Sequence, residues 1–156
     1  MDAIVNAANS SLARGGGVDG AIHRAAGPEL MRELRRRYES CDTGSAVVTS
    51  AGRLDARLVI HAVGPRWRGG DHGEPELLRS AYRTAFALAA EHGCATVASP
   101  SISTGIYGFP IRTAAPIAIV EADAALGAKS TSLREITFAL FSPGDLAVFE
   151  EALAAL

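Results

Sequence analysis

The chain has 156 residues, 48% of them hydrophobic, enough to bury a full core as one domain over 1–156 without disulfide staples. Its 15 basic and 17 acidic side chains, a net charge of −2, argue against a sequence-independent electrostatic grip on nucleic acid. No basic-then-apolar leader opens it, and no apolar stretch reaches the roughly 20 residues that span a bilayer, so the expectation is a cytoplasmic protein with no membrane association. Cys41 and Cys94 lie far apart, with no CxxC pair and no His at metal spacing, and read as reduced thiols.

Residues 3–8, AIVNAA, form a short apolar run of the kind buried on both faces of a sheet. Val18, Ala21, Ile22 and Ala25 then recur at helical spacing until Gly27-Pro28 breaks the helix and starts another, with Leu30, Leu34 and Tyr38 on one side. The basic run Arg32, Arg35, Arg36 and Arg37 on that second helix reads as a solvated face. SAVVTSAG and RLVIHAVG, residues 45–52 and 57–64, are β-branched runs ended by glycine and predict two strands. An exposed loop, PRWRGGDHGEP, follows over 65–75. Leu77, Leu78, Ala81, Ala85, Leu88 and Ala89 then mark a helix over 76–92. TVASPS predicts a strand that runs into the glycine-broken stretch STGIYGFP at 103–110. A helix over 111–126, a final buried strand EITFALF at 135–141 and a closing helix with Asp145 in its first turn complete the chain. Helices recurring between apolar strands predict an α/β protein, a three-layer α/β/α sandwich around a mixed, mostly parallel sheet. Ligands in such sheets bind outside the carboxyl ends of the strands, where both glycine-rich loops fall.

The first of these loops lies in NSSLARGGGVDGAIHRAAG, residues 9–27. Unpaired N–H groups and the positive end of a helix dipole at such a junction attract anions, yet Asp19 is itself an anion. Gly15, Gly17 and Gly20 match G-x-G-x-x-G, but NSSLAR separates them from the preceding strand, which disfavours a nicotinamide-dependent Rossmann enzyme. The second loop offers Ser103, Thr104, Gly105, Ile106, Tyr107 and Gly108: glycines that allow close backbone approach, and hydroxyls as extra donors. Neither loop contains Lys, which excludes a P-loop. Either loop alone reads as an ordinary tight turn. Together they suit a diphosphate clasped from two sides.

DAIVNAANSSL, GGGVDGAIHRAAGPEL, HAVGPRWRGG and SISTGIYGFP resemble, in order and spacing, the macrodomain family, most closely its bacterial O-acetyl-ADP-ribose deacetylases and the related mono-ADP-ribosyl hydrolases. The resemblance implies ADP-ribose between the two loops, its distal ribose beside the start of the first helix, and Asp19 facing sugar hydroxyls and a water. Asn9 and Asp19 would be catalytic. Asn6, Gly15, Gly16, Gly17, Val18, His23, Ser103, Thr104, Gly105, Ile106, Tyr107 and Gly108 would bind substrate. The expected substrates are O-acetyl-ADP-ribose and mono-ADP-ribosylated proteins carrying the group on acidic side chains, hydrolysed by a positioned water with no cofactor and no metal. The rival reading is a non-catalytic ADP-ribose reader.

Asn9 suits a hydroxyl because its amide both donates and accepts. Asp19, at a helix N-terminus, should be charged and accept rather than donate; either it or a substrate phosphate oxygen activates the water. His23, four residues on, holds that carboxylate or takes part directly. His61 reads as a satisfied histidine at a strand end. The resemblance implies that Tyr107 would cover the ribose or diphosphate. Phe141, ending the last strand, either stacks on adenine or packs in the core. The chain departs from the family pattern at two points. Arg14 stands where relatives have the first of four glycines, and the chain begins after the N-terminal strand and Gly-Asp-Ile-Thr motif whose aspartate binds the adenine amine. Asp2 belongs to the next motif.

Overall fold

The computed structural model describes residues 1–156. Five strands, β1 (Ala3–Ala8), β2 (Ala46–Ser50), β3 (Leu58–Val63), β4 (Thr96–Ser99) and β5 (Glu135–Phe138), form one sheet in the order β2-β3-β1-β4-β5. Only β2 is antiparallel to its neighbour, so the sheet is mixed and mostly parallel, as the sequence predicts. β1 pairs with β3 over its whole length, from Ala3 opposite Leu58 to Ala8 opposite Val63. Its pairing with β4 covers only Ala3 and Ile4. The carboxyl half of β1 is therefore free on the β4 side, and there the chain leaves room for a cleft.

Five helices cover the sheet. α1 (Gly17–Ala26) and α2 (Pro28–Arg37) pack on one face, and α3 (Glu74–Glu91), α4 (Ile111–Leu126) and α5 (Pro143–Ala154) lie on the other. Gly27, at φ +85°, turns the chain from α1 directly into α2, where Pro28 takes the first helical position and needs no N–H partner. Period-two alternation along the strands divides the core. Val5, Ile60, Ala62 and Val97 point toward α3–α5 and join Leu78, Tyr82, Phe86 and Phe109 in one large apolar cluster. The α1–α2 face holds two small clusters, around Leu12, Leu34 and Val63 and around Ala26, Leu30 and Val59. No helix is long and apolar enough to cross a membrane.

The edge strand β2 is shielded by α2 and its C-cap. Arg37 and Tyr38 donate to the Val48 carbonyl, and Glu33 accepts from the Ser50 N–H and hydroxyl. Groups that would otherwise template another strand are thus occupied. The other edge corrects the sequence reading. β5 ends at Phe138, and its residues alternate between exposed and half-buried. The Ala139 N–H still donates to the Ser99 carbonyl, but Ser142 caps α5, its hydroxyl accepting from the Asp145 N–H, so residues 140–141 turn out of the sheet. Phe141 consequently lies beyond the strand.

Candidate functional site

A cleft of about 720 Å³ opens at the carboxyl ends of the parallel strands. Its walls are the loop between β1 and α1, the loop between β4 and α4, Gly64 after β3, and residues 139–141 after β5. Asp19 and Asp145 are its only charged side chains, and no Lys or Arg lines it. With no cationic side chain at hand, an anion here would rely chiefly on backbone N–H groups.

The first loop supplies such a backbone. The first intrahelical bond of α1 is Gly20 N–H to Gly16 C=O, so the N–H groups of Gly16, Gly17, Val18 and Asp19 have no acceptor within the protein. Asp19 is turned away from them. Its Oδ2 accepts from Gly15 N–H at 2.6 Å and its Oδ1 from Asn6 Nδ2 at 2.8 Å, while His23 Nε2 stands 3.5 Å from Oδ1. Asp19 is buried, 6% exposed as a residue, and its carboxylate is oriented from both sides. Asn9 braces the turn before it: Oδ1 accepts from Ser11 Oγ and Ala13 N–H, and Nδ2 donates to Ala13 C=O. That leaves one amide hydrogen of Asn9 free toward the cleft.

The second loop carries the longer run of free donors. The N–H groups of Ser103, Thr104, Gly105, Ile106 and Tyr107 make no hydrogen bond within the protein. Five successive amides without partners form a concavity for an anion. Ser103, at φ +68°, and Gly108, at φ +70°, bend the loop, and Gly108 N–H closes it onto Gly105 C=O. The hydroxyls do not serve as the sequence suggested: Thr104 Oγ1 donates to Ser101, and Ser103 Oγ is buried beside Gly64. The short side chains instead pack the loop from within.

Behind this loop lies a buttress that the sequence reading took for exposed coil. Trp67 N–H donates to Tyr107 C=O, the Trp67 ring tilts against Phe109 at 4.8 Å, and the Arg66 guanidinium sits 4.9 Å over the Tyr107 ring. Glu74, only 1% exposed, accepts from the N–H groups of Arg68, Gly70 and His72. Burial alone would raise its carboxyl, but these amides and its own outweigh that and hold it at about 2.

Of the residues singled out in the sequence, Asn9, Gly15 to Asp19, Ser103 to Tyr107 and Phe141 converge on the cleft. Three do not line it. Asn6 and His23 sit behind Asp19, both buried, and Gly108 is set back at the foot of its loop. Phe141 is 99% exposed on the rim, which excludes core packing. His61 is not at a strand end but inside β3, fully buried. Gly64 and Asp145 were missed. The position of Gly64 at the end of a predicted parallel strand was the available signal, as was Asp145 in a first turn at the same edge. Cys41 and Cys94 are free and buried, and burial pushes both thiols up.

Comparison with known proteins places this geometry. A family model described as Macro domain matches residues 5–118. A macro domain-containing protein of Chlorobaculum tepidum is 56% identical over 155 residues, covering 99% of this chain and 89% of that protein. An O-acetyl-ADP-ribose deacetylase of Escherichia fergusonii is 58% identical over 122 residues, 76% of this chain and 69% of that one. Among solved structures, a mutant Oceanobacillus iheyensis macrodomain with ADPR matches at a TM-score of 0.90 and 40% identity, covering 99% of this chain and 86% of its own.

Proposed function

The chain belongs to the macrodomain family, and from that premise we propose that its cleft binds ADP-ribose and hydrolyses ADP-ribose esters. The observation that carries this reading is the pairing of two sets of unpartnered amides across the cleft with one oriented carboxylate beside the first. The diphosphate lies between the amides, neutralised by backbone and by the α1 dipole. The distal ribose reaches Asn9 and Asp19. The adenine lies toward Phe141, whose exposed ring offers a stacking face.

Asp19, held as an acceptor, orients a water or takes its proton while the water oxygen bonds to the ester carbonyl carbon. The ribose oxygen leaves and recovers a proton, giving ADP-ribose and a carboxylic acid. O-acetyl-ADP-ribose and ADP-ribose esters of protein acidic side chains are the substrates this arrangement fits. The proposed mechanism calls for no metal. The two free buried thiols suit a reducing compartment, and we place the protein in the cytoplasm.

Incubation with O-acetyl-ADP-ribose should release ADP-ribose. Asp19→Ala should cut that release at least a hundredfold while ADP-ribose affinity stays within about tenfold, or about 1.4 kcal/mol. Turnover near the parent rate would remove Asp19 from the mechanism. Tight ADP-ribose binding by a parent protein without turnover would make it a reader.

A further inference from the structure

Behind Asp19 a line of buried polar groups crosses three strands. Asn6 Nδ2 lies 2.8 Å from Asp19 Oδ1 and 3.1 Å from His61 Nδ1, and His61 Nε2 lies 2.9 Å from Thr49 Oγ1. Thr49 Oγ1 is in turn 2.9 Å from the Ser50 carbonyl oxygen. Asn6, His61 and Thr49 are all fully buried, and Asn6 and His61 are directly opposite each other in the β1–β3 register. They occupy the α1–α2 face of the sheet, where the apolar clusters are smallest.

Counting hydrogens gives this line one direction. The Asp19 carboxylate can only accept, so the Asn6 amide must present its NH2 group, and a flipped amide would set oxygen against oxygen. The same nitrogen faces His61 Nδ1, which therefore carries a lone pair and no proton. The imidazole hydrogen is then on Nε2 and points at Thr49 Oγ1. That oxygen accepts it and spends its own hydrogen on the Ser50 carbonyl. Starting from Ser50, which can only accept, gives the same assignment. Burial above all, with the nearby His23, pushes His61 down to about 4, so the ring is neutral and can keep its Nδ1 lone pair at neutral pH.

One atom shows what the arrangement favours. Asn6 Oδ1 is buried with no partner, although buried polar atoms are almost always satisfied. Both hydrogens of the amide are committed to Asp19 and His61 at the expense of its oxygen. We infer that His61 and Thr49 are positioning residues: Thr49 keeps the Nδ1 lone pair on His61, which takes the second amide hydrogen of Asn6 and so steadies the first on Asp19 Oδ1, from two strands away. The inference rests on the proposed role of Asp19 in hydrolysis.

The test separates the two. Nitrogen NMR of the intact, ligand-free protein labelled at histidine and asparagine should find His61 as a single Nε2-protonated tautomer. Thr49→Val keeps the branched shape but removes the acceptor, and should yield a tautomer mixture and shift the Asn6 side-chain amide signals. Thr49→Ser should restore both. With O-acetyl-ADP-ribose, Thr49→Val should lower kcat about tenfold with KM and ADP-ribose affinity within threefold, and Thr49→Ser should recover kcat. A role confined to stability would lower Tm and leave the kcat of the folded protein unchanged, which overturns the inference, as does an Nδ1-protonated His61 in the parent. If the parent hydrolyses nothing, the hydrolase reading falls by itself. Asn6 amide signals that do not respond to Thr49→Val would then overturn the positioning chain, and a tautomer-linked shift would support it.

Discussion

The loop after β1 carries a carboxylate at the mouth of a helix and ties it, through Asn6, into buried polar groups of the sheet. The loop after β4 carries no charge, and its five free amides are backed by Tyr82, Ile102, Phe109 and Trp67. The difference matches what each loop is proposed to hold. A diphosphate is gripped by many equivalent donors, and these need only a rigid backing, which dense apolar packing supplies without competing for the ligand. A carboxylate that directs a water needs its direction specified, and only hydrogen bonds specify direction. So the polar backing lies behind the first loop and the apolar backing behind the second.

Charge should break the comparison most sharply. A Cβ at Gly105 meets nothing within 4 Å, so Gly105→Glu should fold as the parent does. Its carboxylate would then stand where the diphosphate is proposed to lie, at a cost of about 4 kcal/mol for like charges some 4 Å apart, or roughly a thousandfold in affinity. Calorimetry with ADP-ribose reads this directly, and unchanged affinity would dissociate the second loop from the diphosphate. Asp19→Ala is the counterpart, keeping affinity and losing turnover.

Acid should reveal the polar backing next. His61, at about 4 in the fold against an ordinary 6.5, faces His23, Asp19 and Glu33, with Thr49 and Asn6 on its ring nitrogens. Between those two values the unfolded chain binds the proton and the folded one does not. Its full stability is therefore present above pH 6.5 and is lost progressively toward pH 4, by about 3 kcal/mol. Glu74 acts lower down, where stability present above its ordinary 4.5 is lost as pH falls through about 2. Urea unfolding at pH 7 and pH 4.5, compared between the parent and His61→Gln, therefore reads the His61 share. A flat profile over that interval, or the same slope in His61→Gln, would show that the imidazole is solvated.

The finest distinction comes from a matched pair of glycines. At Gly64 an added methyl would overlap Ser103 Oγ and Ile102 Cγ2 and wedge the second loop outward. Gly64→Ala should cost about 2 kcal/mol of stability and weaken ADP-ribose binding about tenfold. At Gly20 the methyl would come 2.8 Å from the Gly15 carbonyl oxygen and displace the residue whose N–H holds Asp19 Oδ2. Gly20→Ala should lower turnover about tenfold with affinity within threefold, about 0.6 kcal/mol. Equal effects on affinity in the two variants would dissolve the division between the loops.

The order and type of the elements were legible in the chain alone, because period-two and helical spacing are local properties of a few consecutive residues. So were the two glycine-rich loops, the convergence of Asn9 and Asp19 beside the first of them, and the family resemblance that joined them. The strand order, the end of β5 and the rim position of Phe141 were decided elsewhere. Phe141 reads as apolar strand until Ser142 is seen to cap α5, and a cap forms only once that helix has somewhere to pack. Thr104 looked like a donor to ligand, but Ser101 claims its hydroxyl in the folded loop. Glu74 lay in what read as exposed loop, and nothing local says that its carboxylate closes on three amides. His61 is the clearest case: its partners Asn6 and Thr49 come from two other strands, 55 and 12 residues away. A hydrogen bond depends on distance and direction in space, and for residues so separated only the closed sheet supplies both.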